Sequence, residues 1–194
     1  GYDAAMARRL PYDPEAARRL LTEAGYPNGF DVTFNCPNDR YVNDAEVCQA
    51  VASYLARVGI AVRLQAEPKA TYFPRMLKRE TSFFMLGWTP AGLDAHNVLF
   101  TVLGTPGTGD RSGQGQWNFG AYANPALDAL AVKIQGELDE GRRNSMIREA
   151  FALHADDVGH VPLYQQKLSL GLRKSVDAYQ RPDGFVLFKW ASMR

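Results

Sequence analysis

Thr81-Ser-Phe-Phe-Met-Leu-Gly-Trp-Thr-Pro-Ala-Gly-Leu-Asp-Ala-His-Asn97 is the stretch on which the reading of this chain turns. Ser82 to Leu86 is a short, mainly apolar run, the pattern of a strand buried on both faces of a sheet. Gly87-Trp88-Thr89-Pro90 ends it, because glycine and proline stop a strand and open a loop. In an open α/β sheet, ligands lie in the crevice beyond the carboxyl ends of the strands. A tryptophan at that point offers a ligand a large rigid face, and Gly87 lets the backbone come close. Taken alone, Trp88 fits a core aromatic equally well.

Upstream, the residues build toward that strand. Tyr12 to Gly25 reads as a helix: Asp13 suits the N-cap, Pro14 the first helical position and Gly25 the stop. Its buried side is expected to carry Leu20, Leu21 and Ala24. Pro27-Asn28-Gly29 turns the chain into a strand, Phe30 to Cys36. A polar loop, Cys36 to Asp44, leads to a helix over 44–58, where Val47, Val51, Leu55 and Val58 recur at helical spacing. Ile60 to Ala66 follows as a strand, completing a right-handed parallel βαβ unit. A second crossover helix, 71–79, feeds the Ser82–Leu86 strand, giving a three-stranded parallel core. Asn38, Asp39 and Arg40 then lie on the same edge as Trp88. Arg40 can hold a ligand carboxylate through its fork of donors; a solvated arginine, or one paired with Asp39 or Asp44, is the plainer alternative.

Downstream, Gly104 to Gly115 is glycine-rich. It lacks the third glycine of a dinucleotide fingerprint and the Gly-Lys-Ser/Thr of a P-loop, so it reads as a mobile surface loop with no phosphate site. The aromatics of Gln116 to Tyr122 divide between core and cleft wall, with Asn118 as a polar candidate among them. Asn124-Pro125 caps a helix whose apolar side holds Leu127, Leu130, Ile134 and Leu138. Another helix covers 142–158, buried through Met146, Ala150 and Leu153. Residues 161–165, 168–172 and 185–190 read as strands.

Composition bounds the function. At 194 residues and 46% hydrophobic, the chain holds one substantial core. Its 22 basic and 21 acidic residues are interspersed for a net charge of +1, which offers no stripe for nucleic acid. No apolar run reaches the ~20 residues that span a bilayer, and Gly1-Tyr-Asp-Ala-Ala reads as mid-protein sequence, with no signal peptide. His96, His154 and His160 form no metal-ligand spacing, and no cofactor motif is present. There is no Gly-x-Ser-x-Gly elbow and no His-Glu-x-x-His. A thiol dyad of Cys36 with a distant histidine has no local support, and Asp156-Asp157 beside His160 is most simply the polar end of a helix. An enzyme is therefore not expected.

Leu86-Gly87-Trp88-Thr89, with Asp94 and Asn97 following, resembles the Gly-Trp segment of bacterial extracellular solute-binding proteins of the peptide, oligopeptide and nickel class, family 5. These are the capture subunits of ABC importers. Tyr12 to Phe30, Val58 to Val62, Tyr122 to Asp128 and Val161-Pro-Leu-Tyr164 match the same family in the same order. The resemblance implies an α/β fold: a periplasmic-binding-protein-like type II lobe of βαβ units, with a mainly parallel sheet flanked by helices. It implies the carboxy-terminal lobe of a longer, periplasmic protein whose signal peptide lies outside the chain. Residues 1–29 would be a helical lead-in from the amino-terminal lobe, 30–166 the ligand-binding lobe, and 167–194 a segment returning toward the hinge. Its partners would be a peptide or other small-molecule ligand, a membrane permease and the amino-terminal lobe, with no nucleic acid. Gly87, Trp88, Thr89, Pro90, Ala91, Arg40, Asn118 and Tyr164 would contact the ligand. In an oxidising periplasm Cys36 and Cys48, at a strand end and a helix start, would form a disulfide; two small buried thiols are the alternative. Peptide-binding members carry an aspartate three residues after the motif tryptophan to pair with the peptide amine, and here Ala91 stands there. A non-peptide ligand (an opine, a sugar or a chelated metal) therefore stays open, as does a sensor or scaffold domain, with a hydrolase third.

Overall fold

The computed structural model describes residues 3–8, 10–90, 92–167, 169–181 and 183–194. The chain divides into two compact units: Ala7–Gly87 with Phe119–Ala121 (the sheet unit), and chiefly Trp88–Asn118 with Tyr122–Arg194 (the helical unit).

In the sheet unit, α1 (Pro14–Glu23) begins as its sequence dictates, with the Asp13 carboxylate accepting from the Ala16 amide at 2.8 Å and Pro14 in the first turn. Its expected buried side is not realised: Leu20 is 63% exposed, Leu21 half-buried and Ala24 exposed. Arg18 ties α1 down instead, donating to the Arg57 carbonyl at 2.5 Å. At the start of β1 (Asp31–Pro37) the chain passes so near the turn before β2 (Ala61–Glu67) that a Cβ on Gly29 would lie 1.8 Å from the Gly59 carbonyl oxygen. With φ also at +74°, this position requires glycine.

β1 and β2 pair in parallel from Asp31–Ala61 to Pro37–Glu67, and α2 (Asp44–Ala56) makes the crossover. Side chains alternate along a strand, so Phe34, Cys36, Val62 and Leu64 share one face and pack with Val47, Val51 and Cys48 of α2. Cys36 and Cys48 are joined by a disulfide, both fully buried, with Cα atoms 6.6 Å apart. α3 (Lys69–Leu77) covers the opposite face, its first amide held by the Asp39 carboxylate at 2.6 Å and Arg75 bonded to Glu67 at 2.8 Å. It ends on Arg79 in the left-handed region, φ 55°, with Arg79 N–H donating to Met76 O and Glu80 N–H to Arg75 O. Glycine usually occupies such a helix end, and an arginine there costs about 1 kcal/mol.

The third strand is far shorter than expected. Of residues 82–86, only Phe84 forms a parallel bridge, opposite Asn35, with Asn35 N–H donating to Phe83 O at 3.0 Å and Met85 N–H to Asn35 O at 3.2 Å. Side chains claim the neighbouring backbone groups: Tyr72 donates to the Met85 carbonyl at 2.5 Å, and Tyr41 engages both polar groups of Gly87. Burial pushes the Tyr72 hydroxyl well above its ordinary pKa.

In the helical unit, α4 (Ala95–Val98) runs into a wider π-type turn, Leu99–Leu103. α5 (Pro125–Gly136) and α6 (Glu140–Asp156) form a hairpin, their first turns capped by Asn124 and Asp139. Leu127, Leu130, Ala131 and Ile134 are buried, but Leu138, expected with them, is 95% exposed because it lies in the connection after α5 ends. The buried face of α6 is rotated from the expected one: Ala150 is inside, with Ile147 and His154, while Met146 and Leu153 are half-buried.

The 104–115 segment is not a loose loop. Gly104, Gln114 and Gly115 are buried. Thr105 N–H bonds the Asp128 carboxylate at 2.9 Å, and Gly115 N–H bonds Phe100 O at 2.8 Å. A Cβ on Gly115 would meet Gly104 O at 2.4 Å, so the glycines serve close backbone approach. The expected strands at 161–165 and 168–172 are absent among the described residues, where the chain runs exposed without a ladder; Leu168 lies outside them. For 185–190 the structure has a bridge from Val186 to Gln180 and a 3₁₀ turn, Phe188–Trp190. Nearby, β3 (Val176–Asp177) and β4 (Ser192–Met193) pair antiparallel.

His154 and His160 face each other at the end of α6, Nε2 to Nδ1, 2.9 Å apart, with the Tyr122 ring edge-on to both. Tyr122 donates to Asp157 at 2.6 Å, and Asn124 bonds the same oxygen. Burial, then the neighbouring His160, lowers the His154 pKa to about 4, against the pull of Asp157; burial lowers that of His160. Below the ordinary histidine value of ~6.5 the unfolded chain therefore binds protons that the fold refuses. His154 should thus contribute fully to stability above that pH and lose on the order of 2 kcal/mol as pH falls toward about 4. Carboxylates add their own acid slope, so the check is a difference: His154→Gln should flatten the fall in unfolding free energy between pH 6.5 and 4, and an unchanged slope would contradict it.

The disulfide predicts a second outcome. Alkylation without reductant should add no mass to material made in an oxidising compartment. The double change Cys36→Ala, Cys48→Ala should lower unfolding free energy by about 2–4 kcal/mol in denaturant titration.

Candidate ligand-binding residues

The candidate residues fall into two groups, one in each unit. In the sheet unit, Gly87 is placed by Tyr41, whose hydroxyl accepts from Gly87 N–H at 2.8 Å and donates to its carbonyl at 3.3 Å. A Cβ on Gly87 would come within 2.7 Å of the Tyr41 ring. Any larger residue here would have to displace the Tyr41 ring, so a protein neighbour favours glycine, a reason invisible in the local sequence. Arg40 is exposed, its guanidinium lying 4.9 Å from the centre of the Tyr41 ring. Its amide and that of Tyr41 donate to the Asp44 carboxylate at 2.9 and 3.0 Å. Asp44 is buried at the start of α2, so one carboxylate folds the Arg40–Tyr41 turn and thereby aims Tyr41 at Gly87.

In the helical unit, Trp88 is half-buried and held at two points. Its indole N–H donates to Asn97 Oδ1 at 2.8 Å, and its ring lies tilted against Trp117 with centres 5.4 Å apart. An aromatic fixed in this way keeps its orientation without a ligand and loses little freedom when one binds. Thr89 is exposed and Pro90 half-buried. Ala91 lies outside the described residues.

Asp94 caps α4, accepting from His96 N–H at 2.8 Å, and takes the Arg143 guanidinium on both carboxylate oxygens at 3.0 Å. The Arg143 bond, followed by the His96 amide, holds the Asp94 carboxyl below the usual carboxylate range against the opposing effect of burial. Its charge is therefore already answered within the protein.

Asn118 is fully buried; its amino group donates to the carbonyls of Gly104 and Tyr122 at 2.8 and 2.7 Å, and its oxygen accepts from Tyr122 N–H at 3.1 Å. Both donors are spent on backbone. Tyr164 is 50% exposed in the irregular segment after α6. Asn97, Trp117 and Tyr41 are the positioning residues that the sequence did not assign; only the Trp-to-Asn spacing within one loop hinted at the first. Among the described residues, no group of three histidine, cysteine or acidic side chains could hold a metal ion, and no helix is long and apolar enough to cross a membrane.

Comparison with known proteins adds lineage to this geometry. The model of bacterial extracellular solute-binding proteins, family 5 Middle, matches residues 1–110. Heme-binding protein A of Haemophilus influenzae is 26% identical over 192 residues, covering 94% of this chain and 33% of that protein. The glutathione-binding protein GsiB of Pectobacterium atrosepticum is 28% identical over 189 residues, covering 94% of this chain and 36% of the other. Among solved structures, HbpA2 from Haemophilus parasuis superimposes with a TM-score of 0.77 at 21% identity, covering 100% of this chain and 38% of that one. The chain thus spans about a third of the length of the curated relatives it matches. Its fold is the α/β, periplasmic-binding-protein-like type II lobe. By the family match over more than half its length, the chain belongs to the bacterial extracellular solute-binding proteins, family 5.

Proposed function

We propose that this chain is the carboxy-terminal lobe of the periplasmic substrate-binding component of an ABC importer. The whole protein traps a peptide or related small solute between two lobes, closes by hinge motion and passes it to a membrane permease. The observation that carries the reading is Trp88, placed directly after the Phe84 bridge segment and locked by Asn97 and Trp117. A receptor needs such a preorganised apolar wall, because affinity is what remains after ordering is subtracted. Trp88, the Thr89–Pro90 backbone and Tyr164 of the helical unit, and Arg40 of the sheet unit, are each proposed to contact the ligand, whereas Asn118 spends its amide on the Gly104 and Tyr122 backbone. The reading assigns the chain no catalysis; the relatives named above are binding proteins.

Charge bears on where a cationic ligand group could be met. Asp94 is engaged by Arg143, so it is not free to receive a cationic amine, and a bound peptide would find its amine partner outside this loop. Glutathione is a natural first probe, since a relative is named for it and its γ-linkage displaces the amine from the usual peptide position. Two substitutions test the aromatic wall in the full-length protein that carries this chain. Trp88→Ala should weaken binding of glutathione or trialanine, whichever the wild type takes up, at least tenfold, about 1.4 kcal/mol or more by calorimetry. Asn97→Ala, which frees the ring without removing it, should cost less, about two- to tenfold. Unchanged affinity in Trp88→Ala would remove the tryptophan from the site.

A further inference from the structure

On the face of the sheet covered by α3 lies a pocket of about 600 Å³ whose lining is polar throughout. The pocket is open to solvent, and Arg79 and Glu80 in its wall are exposed. It lies at the beginning of the segment that ends in Gly87, at Thr81 and Ser82, and takes Thr33 and Gln65 from β1 and β2. Its floor is the buried Asn35, which donates to Gln65 Oε1 at 3.0 Å and accepts from the Thr81 hydroxyl at 2.6 Å. With the Gln65 oxygen occupied, the amino group is the end left for a ligand.

Two guanidinium groups line the pocket, Arg75 and Arg79, against one carboxylate, Glu80. Arg75 is already engaged, at 2.8 Å with Glu67 and 3.9 Å with Glu80. Arg79 has no ion pair among the described residues. Its backbone is also left-handed, φ 55°, at the helix end where glycine would relieve the conformation.

We propose that this pocket is a second binding site, for a small oxyanion, with Arg79 as its charged anchor and Thr33, Ser82 and the Gln65 amino group as neutral donors. Carboxylates and phosphates share the chemistry it offers, a planar fork of N–H donors ringed by hydroxyls. The proposal is independent of the solute-binding reading, since none of its residues belongs to the Gly87–Trp88 edge.

The test uses the full-length protein that carries this chain, titrated calorimetrically with inorganic phosphate and, separately, succinate, in chloride at constant ionic strength. Saturable binding of at least one is expected, and the stronger of the two identifies the oxyanion class. Arg79→Gly and Arg79→Gln should each weaken that binding at least tenfold. Arg79→Gly should at the same time raise the melting temperature by a few degrees, because it relieves the left-handed turn, whereas Arg79→Gln should not. Absence of saturable binding in the wild type, or binding in both variants as tight as in the wild type, would overturn the site. A lowered melting temperature in Arg79→Gly would overturn it too, by showing that the arginine serves the fold.

Discussion

β1 is paired on both edges, to β2 along seven residues and to the Phe84 segment through a single bridge, and the rest of the sheet unit depends on that constraint. Both pairings are parallel, so each next strand is reached by a crossover that returns the chain to the starting edge. The two crossovers are α2 and α3. Because β2 lies on one side of β1 and the Phe84 segment on the other, right-handed connections place the helices on opposite faces. The α2 face is apolar and sealed by the Cys36–Cys48 disulfide. The α3 face mixes the buried Tyr72 and Met76 with a polar pocket. The order of the strands also delivers Gly87 and Trp88 at a carboxyl end.

Regular hydrogen bonding accounts for little of how the connecting segments are held. Side chains reach back to the main chain instead: Asp39 to α3, Asp44 to the Arg40–Tyr41 turn, Tyr41 to Gly87, Tyr72 to Met85, and Asn118 to Gly104 and Tyr122. Each satisfies a backbone group that neither helix nor ladder reaches, and an unsatisfied buried one costs about 1–3 kcal/mol. Charge follows the same pattern, since Asp94 serves both as the cap of α4 and as the partner of Arg143. Asp39, Asp44, Tyr41, Asp94 and Asn118 are thus occupied by the protein itself, so the ligand contacts proposed above rest on an aromatic face, exposed backbone and a few outer side chains.

The same division explains which expectations survived contact with the structure. Asp13-Pro14 and Asn124-Pro125 start helices because capping and a fixed proline φ act over three or four residues. The periodicity of Val47 and Val51 placed α2 and its buried face. By contrast, Leu20 and Leu138 are apolar residues at helical spacing that stay exposed; spacing names a face but not what covers it. The strands expected beyond Val161 failed for a related reason, since an apolar run becomes a strand only when another backbone lies alongside it.

What the sequence determined by itself was therefore local or periodic: the caps, the βαβ order, the Gly-Trp segment and the family it signals. Those properties depend on neighbours within a turn or on a repeating pattern. Only the tertiary structure decided that Gly87 lies against the Tyr41 ring, that Asn118 spends both donors on carbonyls, that Asn97 and Trp117 hold Trp88, and that His154 meets His160. In the Tyr41–Gly87 pair the partners stand 46 residues apart. No propensity or spacing encodes such a contact, because it exists only once parallel pairing and crossover packing have brought distant residues together.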